Sequence, residues 1–255
     1  SIAAEKKEFL FYSVNGTLLS ATEALQQPLQ VAASNWHALA RFAGSLVPSG
    51  RSWLIDIGST TTDIVPLAFG KPIPQGMNDW DRLLCGELVY TGMERTPVPA
   101  LRQSLPHRGT PRPIARECFA TSQDAWLLLG DLAEDNKTNT TADHKPATRD
   151  AARIRMARSM LLEPASFTFA DAIEAATAIA DSQIGLIQNV IQQMIQNPVP
   201  DDSIVLSGQG EVLAKRILDH MDWTPRTVSL KDVLGANLSR VAPAHAVAMI
   251  AQRRL

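Results

Sequence analysis

Eight consecutive residues, Asp56-Ile-Gly-Ser-Thr-Thr-Thr-Asp63, place a glycine and four hydroxyls between two carboxylates. Asp56 closes a short apolar run, Trp53-Leu-Ile-Asp-Ile, that reads as a buried strand. A buried carboxylate is costly unless it is paired or bound to a cation. Gly58 lets the backbone turn tightly and come close to a ligand. Ser59, Thr60, Thr61 and Thr62 offer hydroxyls and a run of backbone N–H donors, the ingredients of an anion nest. Asp63, like Asp56, is a candidate ligand for Mg²⁺, a hard cation that takes oxygen donors. These residues predict a phosphate-binding turn with a metal at its acidic ends. The segment after the turn separates the fold classes. A Walker or Rossmann glycine loop leads into a helix, whereas Asp63-Ile-Val-Pro-Leu reads as a second strand. The phosphate is therefore expected over a β-hairpin, the alternative being a Ser/Thr-rich hairpin with no ligand.

A second glycine turn, Gly208-Gln-Gly210, lies between an apolar strand and a helix beginning at Glu211. Helix N-termini present free N–H groups, but Glu211 would repel a phosphate. Gly208, Gln209, Gly210 and Glu211 are therefore expected at a nucleotide's sugar or base, or at another polar ligand. The segment from Gly86 to Pro97 holds Glu87, Tyr90, Thr91 and Arg95, types that suit a substrate cleft. Arg95 suits a phosphate or carboxylate. Arg149, Arg153, Arg155 and Arg158 share helix faces by spacing and read as a solvated basic face, with a docking site for a phosphorylated substrate as the sharper alternative. His37 reads as a satisfied core or interface residue. Cys85 and Cys118 read as packing residues, because no His or second Cys stands at metal-ligand spacing.

Several of these runs resemble the hydantoinase/oxoprolinase-related proteins of the tetrahydromethanopterin-linked C1 transfer pathway. They are Ala33-Ser-Asn-Trp-His-Ala-Leu-Ala, Leu54 through Pro66, Gly86-Glu-Leu-Val-Tyr-Thr-Gly, Arg95-Thr-Pro-Val and Leu206-Ser-Gly-Gln-Gly-Glu. The resemblance runs over nearly the whole chain. It implies an α/β protein with the actin-like ATPase (ribonuclease H-like) fold in two lobes. It further implies a diphosphate-releasing transferase of methanofuran biosynthesis that condenses an aminomethylfuran with glutamyl-tyramine. Asp56, Asp63 and Arg95 would be its catalytic residues. Mg would be a cofactor, and the turn would hold either ATP or ADP or the substrate's own diphosphate. An ATP-dependent kinase, a cyclic-amide hydrolase and a non-catalytic nucleotide-gated module share the implied fold and stay open as alternatives. Such folds also carry an earlier Asp-x-Gly hairpin, which this sequence lacks. The N-terminal lobe is thus expected to be incomplete and the polypeptide to be inactive alone, as the later part of a longer protein.

The elements that must position these residues are set by periodicity. Residues 8–19 alternate and break at Asn15-Gly16, a hairpin signal. Residues 21–46 read as helical with Thr22 as a cap. Strands are expected at 53–57, 63–67 and from Ile73, and a short helix at 81–84. Further helices are expected over 120–132, 150–162 and 168–197, the last being one helix or two. A strand at 203–207, a helix at 211–220 and a final helix at 243–253 complete the pattern, with a polar loop over 133–149. Residues 1–50 are expected to be a remnant of the N-terminal lobe. Residues 51–240 would form the second lobe, with a helical insertion near 79–165, and residues 241–255 a helix returning to the first. A chain of 255 residues that is 45% hydrophobic can bury a sizeable core. Its net charge of −2 gives no basic field for nucleic acid, no apolar run reaches membrane-spanning length, and residues 1–7 contain no secretory leader. With two cysteines, a disulfide framework is not expected and a reducing cytoplasm is the natural setting. A small phosphorylated molecule is the expected partner, and a homo-oligomer is compatible with the composition.

Overall fold

The computed structural model describes residues 9–252 apart from Asp222. Residues 1–7, Glu8 of the first expected strand and Arg253 of the last expected helix lie outside the described residues. The chain begins with an antiparallel hairpin, β1 (Leu10–Tyr12) and β2 (Leu18–Ser20). Gly16 takes φ +78° at its turn, a conformation that favours glycine. The expected helix over 21–46 is three: α1 (Ala21–Gln26), α2 (Pro28–Val31) and α3 (Asn35–Leu46). Ser20, not Thr22, caps α1, through a capping box with Glu23. Pro28 has no N–H to continue α1 and instead starts α2.

Strand β3 (Arg51–Ile57) pairs antiparallel with β4 (Thr62–Ala68), with Asp56 opposite Asp63. Two-residue strands β5 (Lys71–Pro72) and β6 (Leu88–Val89) flank β4. After them come α4 (Asp79–Cys85), α5 (Val98–Leu101), and a second hairpin, β7 (Ser104–His107) with β8 (Thr110–Pro113). Helices α6 (Ser122–Leu129), α7 (Arg149–Ser159) and α8 (Phe169–Met194) are next. Strand β9 (Ser203–Ser207) returns to run parallel to β3, and α9 (Glu211–Asp219) leads to β10 (Arg226–Ser229), parallel to β9. The chain then forms α10 (Leu230–Leu234), α11 (Ala236–Ser239) and α12 (Ala242–Gln252).

The main sheet therefore runs β10-β9-β3-β4-β5, with β6 also on β4. Alternation along β3 sorts its side chains between two cores. Trp53, Ile55 and Ile57 join Ile184, Ile187, Leu213 and Ile217 of α8 and α9 on one face. Leu54 joins Leu39, Ala43 and Ala242 of α3 and α12 on the other. Covering both faces explains why β3 reads as a continuous apolar run. A further core gathers Leu105, Ala125, Met156, Phe167 and Ala172 from the segments between β6 and β9. The 26-residue α8 is one unbroken helix that serves this core with its N-terminal half and the sheet with its C-terminal half. Among the described residues no helix is long and apolar enough to cross a membrane.

The basic stretch on α7 is not the solvated face expected from spacing. Arg155 is buried and pairs with Asp124 at 2.7 Å and with Asp143 at 3.0 Å. Arg153 bonds to the carbonyls of Pro164 and Phe167. These arginines anchor the loop and helix termini around them.

Candidate functional site

The Asp56–Asp63 segment is the tip of the β3–β4 hairpin, at the end of β3 that meets the β9–α9 turn. Gly58 N–H donates to the Thr61 carbonyl and closes the turn at 2.9 Å. Among the described residues, the N–H groups of Ser59, Thr60 and Thr61 donate to no acceptor in the chain. Three consecutive free donors in a tight turn are what an anion nest requires. The turn is held from behind by residues 92–96. Met93 N–H donates to the Gly58 carbonyl, and Glu94 and Arg95 N–H both donate to the Ser59 carbonyl. A Cβ on Gly92 would stand 2.6 Å from the Gly58 oxygen and 2.7 Å from Thr60 N, so only glycine permits this approach. The Gly92 carbonyl accepts from Ser122 Oγ and from Gln183 Nε2. Gln183 also accepts from the Trp126 indole, so α6 and α8 both position the loop behind the turn.

The second glycine turn packs against the same strand. Gly210 N–H donates to the Ile57 carbonyl at 2.9 Å. Gly208, at φ +86°, lies so close to the Ile57 carbonyl and the Asp56 carboxylate that a side chain there would overlap them. Between the two turns is a cleft of about 420 Å³, whose lining includes Asp56, Gly58, Ser59, Thr60, Thr61, Asp63, Gly208 and Gln209, together with Glu94 and Arg240. A larger cavity of about 690 Å³ adjoins it and shares Glu94, Gly208, Gln209, Ser239 and Arg240.

Not every residue expected at the site is there. Thr62 lies within β4, fully buried, and donates to the Thr91 carbonyl at 2.9 Å. The pleat turns it away from the neighbours that line the cleft. Arg95 is exposed and lines neither cavity; only its backbone touches the turn. Gly210 is a packing position against Ile57. Glu211 lines the larger cavity, but its carboxylate is fixed by Ser229 Oγ at 2.5 Å and Lys231 N–H at 2.9 Å. Glu87 is buried and accepts from Gln75 and Gly76 N–H, while Tyr90 points to solvent. His37 is buried, hydrogen-bonded to Tyr12 Oη at 2.9 Å, and burial followed by the nearby Arg41 lowers its pKa to about 4. It is a neutral, satisfied core residue, as expected. Cys85 is half-buried, whereas Cys118 is exposed and so is not the packing residue expected.

The carboxylates behave differently from one another. Burial raises Asp56 to about 7, helped by the adjacent Asp63 charge; the Ser207 hydroxyl beside it opposes the shift and Glu211 adds to it. Burial also raises Asp63, and Arg82, 2.7 Å away, offsets part of that rise. Arg82 is itself buried, donates to the Glu87 carbonyl and lies 4.0 Å over the Trp36 ring. It is a site residue that spacing does not single out, because its partners come from β4 and α3. Arg240 is another: it is the one cation lining the smaller cleft among the described residues. Asp56 has no ion-pair partner in the described chain. No group of three or more His, Cys, Asp or Glu is placed to hold a metal among the described residues. One unpaired carboxylate beside hydroxyls fits the habit of Mg²⁺, which takes one or two protein carboxylates and keeps phosphate and water oxygens for the rest.

The architecture is that of known proteins. It matches nucleotide-free acetone carboxylase, an enzyme of ATP-dependent acetone carboxylation, with a TM-score of 0.55 at 13% identity; the match covers 94% of this chain and 35% of that one. This mixed α/β fold is therefore shared with one part of a larger protein. Residues 2–254 match the Hydantoinase_A model, hydantoinase/oxoprolinase, and the chain belongs to that family. Two relatives carry the name (4-{4-[2-(gamma-L-glutamylamino)ethyl]phenoxymethyl}furan-2-yl)methanamine synthase. The one from Methanocaldococcus jannaschii is 31% identical over 244 residues, spanning 96% of this chain and 72% of the relative. The one from Methanococcus vannielii is 28% identical over 204 residues, spanning 79% and 91%.

Proposed function

We propose that this protein is an enzyme of furan-containing C1-carrier cofactor biosynthesis, built on an actin-like ATPase fold, that holds a phosphorylated substrate on the Ser59–Thr61 turn. The named relatives support the biosynthetic role. The observation that carries the site is the run of three unpaired N–H donors beside Asp56, in a cleft that both line. In the condensation, a bond forms between a phenol oxygen and the methylene carbon of an aminomethylfuran diphosphate. The bond from that carbon to the diphosphate breaks, diphosphate leaves with the electron pair, and the phenol proton passes to a base. The chain's part is electrostatic: donors already aimed at a leaving anion need no reorganisation as charge develops. Mg²⁺, when bound through Asp56, would supply further charge to that anion. Asp63, tied to Arg82, keeps the turn's geometry rather than meeting the ligand.

The test is thermal denaturation with inorganic diphosphate, with and without Mg²⁺, at pH 8. A Mg-dependent rise in Tm that Asp56→Ala abolishes is expected. No shift at saturating diphosphate overturns the reading. A second reading, ATP as the ligand, has the continuity of the two cavities in its favour; ATP hydrolysis that Asp56→Ala removes would select it.

A further inference from the structure

The larger cavity has a charge pattern that the phosphate site does not explain. Five carboxylates line it (Glu94, Asp131, Glu134, Asp135 and Glu211) against two cations, Lys231 and Arg240. A net negative lining is unsuited to a polyanion such as a diphosphate. The two signs come from different segments. Asp131, Glu134 and Asp135 come after α6, while Lys231 and Arg240 come after β10. They are not joined to one another: among the described residues neither Lys231 nor Arg240 makes an ion pair. Asp131 is paired with Arg216, and Glu134 and Asp135 each accept one backbone N–H. The Glu94 side chain has no partner among the described residues.

Gln123 is the independent sign that something belongs here. Its side chain is nine-tenths buried and lines the cavity, yet its amide makes no hydrogen bond in the described chain. The amide atoms open onto the cavity, so both its donor and its acceptor are available to a ligand there. The lining includes no aromatic ring and few apolar side chains, chiefly Leu132 and Val212. A flat base would find nothing to stack on.

We propose that this cavity receives a zwitterionic α-amino-acid head group. Its ammonium is directed to Glu94 and the acidic turn after α6, its carboxylate to Lys231 and Arg240, and Gln123 bonds to one or the other. The inference deepens the proposed function and rests on it in one respect. The relatives' product carries a gamma-L-glutamylamino group, and a γ-linked glutamate keeps its α-ammonium and α-carboxylate free. The head group would sit in the larger cavity, and the aryl end would reach past Gln209 towards the phosphate turn.

The experiment is calorimetric titration of the full chain with gamma-L-glutamyl-tyramine, its N-acetyl and α-carboxamide derivatives, and adenosine. The parent compound is expected to bind, and capping either charge should weaken it by about ten- to a hundredfold. Lys231→Met should weaken the parent to a similar degree while leaving the α-carboxamide unchanged, a pattern that misfolding would not produce. Gln123→Met is the second variant and should weaken all three glutamyl compounds. Equal binding of capped and uncapped compounds, no binding of the parent, or adenosine binding that depends on Gln123 and Lys231 would each overturn the proposal. The Mg-diphosphate shift is measured in parallel. Its loss in wild type with amino-acid binding intact would reject the phosphate reading and leave this one standing.

Discussion

Asp56 carries a cost that ligand binding is suited to relieve. Its folded pKa of about 7 lies above the ordinary 3.8 because burial and the Asp63 charge disfavour ionisation. Protonation therefore favours the folded state. The group's contribution is fully present below pH 3.8 and is lost as the pH climbs through about 7. The full difference is on the order of 4 kcal/mol at pH 8. Asp56→Asn, which mimics the protonated acid, is expected to raise Tm at pH 8 and to leave it nearly unchanged at pH 4; equal effects at both would show that ionisation is not the cause. The neighbouring Asp63 is also raised by burial, and Arg82 offsets part of that rise. Arg82→Met strands Asp63 as a buried, uncompensated charge and should cost about 3–5 kcal/mol in urea denaturation. The double variant Arg82→Met/Asp63→Asn should recover much of that loss.

At the level of elements, the site depends on contacts between pieces distant in sequence. Gly92→Ala introduces a Cβ against the backbone of Gly58 and Thr60. It should cost about 1–3 kcal/mol and displace the free N–H groups, weakening Mg-diphosphate binding more than Gly185→Ala, where a Cβ would meet nothing within 4 Å. Gln183→Leu removes the bonds to Thr91 and Gly92 and leaves the Trp126 indole without its acceptor. It should lower Tm and the diphosphate shift together. This dependence also marks what a sequence can reveal. The β3 and β4 strands, the Gly58 turn, α6, α8 and α9 are legible because each is written in a continuous run of apolar spacing or turn residues. Arg82, Gln183 and Arg240 are not, since each is a single polar residue whose partner lies elsewhere; Gln183 and Gly92 are 91 positions apart. Four hydroxyls in a row look like one set, but the strand begins at the fourth, which takes Thr62 out of the turn. Helical spacing shows which residues share a face and not what that face meets, so the burial of Arg155 is invisible to it.

On the scale of the whole molecule, β3 is the central member of the sheet, yet its two partners differ in distance. It pairs with β4 across a short turn and with β9 far along the chain, where Arg51 meets Asp202, 151 positions later, at 2.7 Å. A chain ended at Pro198 would keep the whole Ser59–Thr61 turn and lose β9, β10 and α9. It would expose one edge of β3, an apolar strand suited to pairing with another copy. Such a truncated chain is expected to aggregate in light scattering, whereas the full chain should not. The same connection bears on time. A ribosome adding roughly ten residues per second would need about fifteen seconds to proceed from β3 to β9. Through that interval the hairpin would exist without the neighbour that buries Asp56. The central strand would wait through that interval for its second neighbour, so a chaperone able to shield an unpaired strand would matter most between the synthesis of β3 and that of β9.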